Sequence, residues 1–519
     1  MKKKYKVGSL FAGVGGICLG FMQAENSEAE YEVVWANEID EYASETYRTN
    51  FKHNLIEGDI ELVLKPELVQ VRIDHIKAQL KSIDDISKIK LELNNLIAEI
   101  NNSPQLNEEM TASFTDLSKD ICEKSEQLKS ISKFENHVEE VLQINSKIES
   151  VTDKGQLLKL ISNMIELADK LTSKTEKKDI ERLLAKYQDQ LSAKYYEQMH
   201  DRILEEEIDV LNGGFPCQAF SIAGEQKGFE DERGNLFLSI IELIKQLGER
   251  HRKPRLLFLE NVKNLGSHDN GRTYAVIKRE LEKTGYTVYE SVLNTMSYSY
   301  LPQNRERIYI VGFLNESDAN RFQLFENISK FKTVKSSEER MMDIKKIIDY
   351  DTPQDDKYYY TKEKYPHYFV TEEEYATQTH SKKDVRINLE EDVNEMYQFY
   401  QVRRGQYVRK NQSDVCPTLT ANMGTGGHNV PLVKVENGIR KLTPKESFKL
   451  QGFPVGNGYV LPEKYKNKNY ADSNLYKQAG NAVSVPVIRF LAEELLKVLA
   501  SDESIDESDL EKKTDAVIS

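Results

Sequence analysis

One thiol stands at the end of an apolar run, where Asp209-Val210-Leu211-Asn212-Gly213-Gly214-Phe215 leads into Pro216-Cys217-Gln218. A short apolar run closed by glycines and proline reads as a strand with a turn at its tip. Cys217 at such a tip is placed as a nucleophile, although a cysteine taken alone is more often a small buried hydrophobe. The polar stretch Ser221 to Gly234 that follows, punctuated by Gly224, Gly228 and Gly234, is suited to closing over a substrate. Two further apolar runs bring charged groups: Leu256-Leu257-Phe258-Leu259 delivers Glu260-Asn261, and Gln303-Asn304-Arg305-Glu306-Arg307 opens Ile308-Tyr309-Ile310-Val311. A carboxyl at a strand end serves as a proton donor or acceptor, and guanidiniums donate to carbonyl or phosphate oxygens. Ordinary ion pairs, such as Glu260 with a lysine or Arg305 and Arg307 with Glu306, are the bland alternative.

A fourth motif, Phe11-Ala12-Gly13-Val14-Gly15-Gly16, follows the strand Tyr5 to Phe11 and precedes a helix. Its glycines let the backbone turn tightly and approach a cofactor at the helix N-terminus. The next strand, Tyr31 to Ala36, ends on Asn37-Glu38, an acid able to hold a ribose. GxGxxG is absent, yet from these residues alone a nicotinamide dinucleotide and another nucleoside cofactor both stay open.

The elements that position these groups alternate as strand and helix. Residues 5–60 read as strand, turn, helix, strand, a helix from Glu41 to about Asn50, and a short strand at Leu55-Ile56. From Ile208 the alternation resumes: strand 208–211, helix Leu236 to Leu247, strand 256–259, helix Tyr274 to Thr284, strand Thr287 to Leu293 and strand 308–313. That is the pattern of a doubly wound α/β domain. Between the halves, residues 61–205 are nearly free of glycine, with apolar residues at helical steps (Ile76, Leu80, Ile83, Ile86, Ile89, Leu93, Leu96, Ile100). Breaks at Asn101-Asn102-Ser103-Pro104 and Asp153-Lys154-Gly155 predict antiparallel helices with coiled-coil-like packing. A second, smaller domain is expected over 326–455, a return to the first over 456–500 through a helix opened by Tyr476 to Val483, and a disordered acidic tail over 501–519.

The chain of 519 residues carries a formal charge of -14, but residues 401–470 hold 12 Lys+Arg against 4 Asp+Glu. Affinity for a polyanion follows such a local excess rather than the sum. Four scattered cysteines without CxxC predict neither a disulfide framework nor a metal site. Lys2-Lys3-Lys4 before an apolar stretch imitates a secretory signal, but the stretch is glycine-rich and another strand follows, so a cytoplasmic protein without a membrane span is expected.

In order and identity the four strand-tip motifs resemble those of the DNA cytosine-5 methyltransferases, closely over 5–60 and 206–313 and again from about 440 to 490. The resemblance implies a Rossmann-like domain that uses S-adenosylmethionine, without a metal, to methylate cytosine in a specific short sequence of double-stranded DNA. It implies that Phe11, Gly13, Gly15, Gly16, Glu38, Ile39, Asp59, Ile60, Pro216, Leu236 and Asn481 hold the cofactor, Glu38 through ribose and Asp59-Ile60 through adenine. Cys217 is then the nucleophile toward carbon 6, Glu260 engages ring nitrogen 3 and Arg307 the pyrimidine oxygen. Arg305 would serve a phosphate or the catalytic loop from the same strand face as Arg307, and Asn261 would orient the loop. The target base must leave the stack to reach such groups.

Cys416-Pro417-Thr418-Leu419-Thr420-Ala421 and the glycine loop to Asn429 resemble the family's target-recognition segment. Ser221, Arg233, Arg403, Arg404, Arg409, Thr418 and Gly426 are assigned to DNA, with Lys410 also available. A transfer-RNA cytosine-5 methyltransferase and a non-catalytic DNA-binding assembly protein are the rivals; the basic segment argues against the first, and intact Cys217, Glu260, Arg305 and Arg307 against the second. Residues 61–205 depart from the family pattern. They are either a tolerated insertion or a surface for self-association or a partner such as a restriction endonuclease.

Overall fold

The computed structural model describes residues 2–131, 134–151, 153–190, 193–215, 235–377, 386–403, 407–425 and 429–501; the acidic tail lies beyond them. The described chain forms two compact units, one of residues up to 60, 203–215 and 236 onward, the other of Glu61–Arg202.

In the first unit a seven-stranded sheet has the order β3-β2-β1-β4-β5-β7-β6. Its strands are β1 Lys3–Leu10, β2 Ala29–Glu38, β3 Asn54–Glu57, β4 Val210–Gly214, β5 Leu256–Val262, β6 Thr287–Asn294 and β7 Glu306–Phe313. β1 to β5 run parallel, and β7 runs antiparallel between β5 and β6. The architecture is Rossmann-like. Strand order reverses direction between β1 and β4, and ligands of open α/β sheets bind beyond the strand carboxyl ends at such a switch point. Because β7 is antiparallel, its first residues lie at that same edge, Arg307 opposite Val262. β4 and β5 are buried on both faces, hence their unbroken apolar runs rather than alternation.

α1 (Gly16–Met22) and α2 (Glu41–Asn50) follow β1 and β2, α2 capped by Asp40, whose side chain accepts from Tyr42 N and Ala43 N. The last helix, Val485–Ala500, packs on α1 and is tied to the strands by Tyr5 Oη donating to Leu499 O at 2.8 Å and Tyr31 Oη to Ala492 O at 3.1 Å. One expectation is corrected here. Tyr476 to Val483 does not open a helix: Tyr476 lies inside the helix Asp472–Asn481, Ala482 is extended, and the following helix begins at Val485 with Pro486 in its first turn.

The same unit holds a five-stranded antiparallel sheet of order β10-β9-β11-β12-β8, built from β8 Tyr359–Tyr360, β9 Tyr400–Arg403, β10 Tyr407–Lys410, β11 Leu432–Val435 and β12 Gly438–Lys441. Tyr360, Tyr368, Phe369, Leu389, Tyr400 and Leu432 belong to one apolar cluster on it. Beside it the buried Arg440 guanidinium meets both Glu446 oxygens at 2.7 and 2.9 Å, and Glu446 completes a capping box with Thr443.

The unit Glu61–Arg202 is helical: Leu68–Asn102, Glu108–Glu126, Glu135–Asn145, Lys154–Leu171 and Lys174–Gln190. Its core joins Ile76, Ile83, Ile86, Leu93 and Ile100 of the first helix to Phe114, Val138, Ile161 and Met164 of later ones. Lys90–Asp169 and Asp84–Lys177 ion pairs show that the first helix runs antiparallel to the two returning ones. The break expected at Asp153 is where a new helix starts: the Asp153 side chain caps Lys154–Leu171, accepting from Gln156 N at 2.9 Å. No helix among the described residues is long and apolar enough to cross a membrane.

Candidate active site

Three strand ends meet around Glu38. Its Oε2 accepts from Gly13 N at 2.7 Å, and its Oε1 from Ile39 N at 3.0 Å and Asp40 N at 2.7 Å. Burial pushes the Glu38 carboxyl above the usual range, and those N–H groups pull the other way. Asn37 Nδ2 donates to Ile56 O and Gly58 O, both at 3.0 Å, fastening the backbone that leads into Asp59-Ile60. Phe11 adopts φ 53°, a left-handed conformation that an aromatic residue enters only at a cost. Gly15 at φ 82° lets α1 begin against Phe51, whose ring would stand 2.2 Å from a Cβ there. Ile39 is half exposed, Asp59 partly buried and Ile60 buried. Gly16 faces Val483, two residues past Asn481, the exposed last residue of its helix. Leu236 lies in the first turn of the helix Asn235–Glu249.

At the other end of the switch point Glu260 of β5 stands opposite Gly214 of β4. Glu260 is 8% exposed, and Arg307 Nε lies 3.0 Å from its Oε1. Burial raises its pKa, and Arg307 and Arg305 oppose the shift. A buried carboxyl that keeps a proton more readily than an ordinary glutamate can donate it to a base. Asn261 Nδ2 donates to Phe215 O at 2.7 Å while Oδ1 accepts from Val262 N at 2.8 Å, so this amide fixes the end of β4 just before Pro216-Cys217. Pro216, Cys217, Ser221, Arg233, Arg404 and Gly426 lie outside the described residues. The other three cysteines, Cys18, Cys122 and Cys416, are buried with their thiol pKa values raised by burial, which leaves them inert.

Arg305 does not share a solvent-facing role with Arg307. It precedes β7 and is 1% exposed, with Nη1 donating to Leu419 O at 2.7 Å and Nη2 to Gly480 O at 3.2 Å and Ala482 O at 2.5 Å. Burial without a touching carboxylate pulls its pKa down to about 9. It clamps three backbone segments and reaches for no phosphate. Gln303 Nε2 to Leu450 O at 2.8 Å and Gln451 Nε2 to Ala479 O at 2.7 Å continue the weld. Gly480 allows it, since a Cβ there would lie 2.1 Å from the Thr420 carbonyl carbon. Sequence reasoning missed Gln303, Gln451 and Gly480, whose types carry no periodic or motif signal apart from the proximity of Gln303 to Arg305.

A cleft of about 550 Å³ brings Arg307 of β7, with Asn304 just before it and Lys263 just after β5, together with Gln401, Arg403, Arg409 and Thr418. Thr418 Oγ1 donates to Asn304 O at 2.7 Å. The structure thus gathers Arg403, Arg409 and Thr418 with Arg307, while Lys410 pairs with Glu395 at 2.7 Å and is already engaged.

The family description C-5 cytosine-specific DNA methylase matches residues 5–79 and 171–497. Type II methyltransferase M.Bsp6I of Bacillus sp. (strain RFL6) is 34% identical over 493 residues, covering 95% of this chain and 98% of that protein. Type II methyltransferase M.SsoII of Shigella sonnei is 34% identical over 294 residues, covering 56% of this chain and 65% of that one. Among solved structures, that of the S. pombe Dnmt2 methyltransferase covers 96% of this chain and 100% of its own at 14% identity, with a TM-score of 0.44.

Proposed function

The chain belongs to the C-5 cytosine-specific DNA methylases, and on that premise we propose the reaction its residues perform. It is a DNA cytosine-5 methyltransferase, and the proposed role is that of its Type II relatives, methylating one short double-stranded sequence. S-adenosylmethionine, when bound, supplies an electrophilic methyl group on a sulfonium. The residues fit that cofactor: a carboxylate offers about four acceptor positions, and three at Glu38 are filled, leaving one for a ribose hydroxyl. Phe11, Gly13, Gly15, Gly16, Ile39, Asp59 and Ile60 follow the ends of β1, β2 and β3, and with Pro216, Leu236 and Asn481 they make up the proposed set.

In a duplex the target cytosine is inaccessible, so it is flipped out toward the cleft. The Cys217 thiolate forms a bond to carbon 6, and the ring electrons pass toward nitrogen 3, where Glu260 donates its proton. The resulting enamine carries the electron pair that makes carbon 5 a nucleophile for the methyl group. Arg307 donates to the pyrimidine oxygen, and Asn261 holds the strand end that presents Cys217. Loss of the carbon 5 proton to a base then breaks the carbon 6–sulfur bond, the pair returning to the thiolate and the nitrogen 3 proton to Glu260. Residues 326–455 are proposed to read the sequence, through Arg403, Arg409 and Thr418 together with Arg404, Gly426, Ser221 and Arg233.

The observation that carries this reading is the buried Glu260 carboxyl beside Arg307, on the strand next to the one that leads to Cys217. Duplex DNA with 5-fluorocytosine at the target is expected to trap the enzyme, because fluorine cannot leave as a proton. A denaturing gel should show a protein–DNA adduct that C217S does not form; absence of adduct with the wild type sinks the covalent route.

A further inference from the structure

We propose that Gln401 is a specificity-determining residue that reads the edge of one adenine in the recognition sequence; this rests on the proposed reaction. Gln401 is 8% exposed, yet its amide makes no hydrogen bond among the described residues. What it faces is the cleft that also contains Arg307. The amide's donor and its acceptor are both free for a group bound in that cleft.

The surroundings select the ligand. In the β9–β10 pair Gln401 stands directly opposite Arg409, and Arg403, two residues along β9, shares its side of the strand. Neither arginine has a carboxylate within salt-bridge distance among the described residues, and Arg403 Nε is buried without a partner. Two unneutralised guanidiniums flanking the amide suit DNA and exclude an acidic residue as its intended neighbour. Phosphate oxygens only accept, so a phosphate would engage the Gln401 N–H alone and leave its carbonyl unused. A base edge with one donor and one acceptor satisfies both ends, and the major-groove edge of adenine, with N7 accepting and N6 donating, matches a glutamine amide. Guanine, which presents two acceptors there, is left to the arginines.

The test uses the full-length enzyme, after bisulfite sequencing of DNA it has methylated defines the site. Each adenine of the site is replaced in turn by 7-deazaadenine, and kcat/KM is measured for wild type, Q401A and Q401L. One position is expected at which the analogue slows wild type by roughly tenfold to a hundredfold. At that position Q401A should be indifferent to the analogue and accept other base pairs, with discrimination elsewhere unchanged. Because the analogue scan needs only the wild type, misfolding of a variant does not remove the test. A recognition site without adenine, no sensitive position, or a uniform loss on every duplex in Q401A would overturn the inference and leave the reaction intact. Failure of wild type to methylate any duplex would overturn the reaction and the inference with it.

Discussion

Glu260 carries two consequences at the scale of single residues. E260Q removes the proton donated to nitrogen 3, and kcat should fall by about 10²–10⁴ while S-adenosylmethionine binding, measured by calorimetry, stays unchanged. The second is a pH dependence of stability. Burial raises the Glu260 pKa above its ordinary 4.5, so the folded state binds that proton more tightly than the unfolded chain. The stabilisation is therefore complete below the ordinary value and is lost as pH rises through the raised one. Relative to wild type, E260Q should gain in Tm from acidic toward neutral pH; a constant difference would show that Glu260 is not perturbed. That Glu260, Asn261 and Arg307 stand at strand ends was legible in the sequence, because an apolar run that ends in charge has few explanations. The burial of Arg305 was not legible, since alternation along a strand says nothing about a residue one step before the strand begins. Gln401 gave no signal, because an amide in a four-residue strand looks like any surface residue until its burial is known.

At the scale of elements, the clamp around Arg305 joins β7 to the segments at Leu419 and at Gly480 to Ala482. R305M would leave three buried carbonyls unpaired, a loss of at least about 3 kcal/mol by urea denaturation. G480A places a Cβ against the Thr420 backbone, which cannot rotate away as a side chain would. About 1–3 kcal/mol of overpacking follows, and the displaced Thr418–Thr420 segment should weaken DNA binding more than cofactor binding. Equal stability in G480A and wild type would show that the two segments are not in contact. Strands were read well here because β4, β5 and β7 are apolar runs at the centre of a sheet. Helix ends were read less well. The chain leaves the helix Glu108–Glu126 and enters Glu135–Asn145 without a glycine or proline between them, so no punctuation marks the break. At Asn481 the helix ends where the chain must present Ala482 O to Arg305, a tertiary demand invisible in local propensity.

At the scale of the whole molecule, the charge of -14 and the arginine-lined cleft coexist because a polyanion responds to the local face. The long excursion between β3 and β4 tests the division into units. β3 is the sheet edge and β4 lies beyond β2 and β1, so the chain leaves and returns at strands that are not adjacent. It must cross about 14 Å of sheet and run back along it, a parallel crossover that needs a dozen residues or more. A linker of only a few residues joining residue 65 to residue 203 would not span that crossover. The helices themselves offer a better deletion. Asp84 pairs with Lys177, so the outgoing and returning helices are already side by side there, and a loop of about 2–5 residues closes such an antiparallel pair. Replacing residues 85–176 with Gly-Ser-Gly-Asn should leave a helical hairpin stub on an intact crossover. The family description skips residues 80–170 between its two matches, close to the segment removed. No residue assigned to cofactor, cytosine or DNA lies within it, so the shortened protein should bind S-adenosylmethionine and methylate the same sequence at a similar rate. If the helical unit mediates assembly, light scattering should also show a lower mass. A soluble shortened protein with native circular dichroism but no cofactor binding would show that the helical unit supports the catalytic sheet.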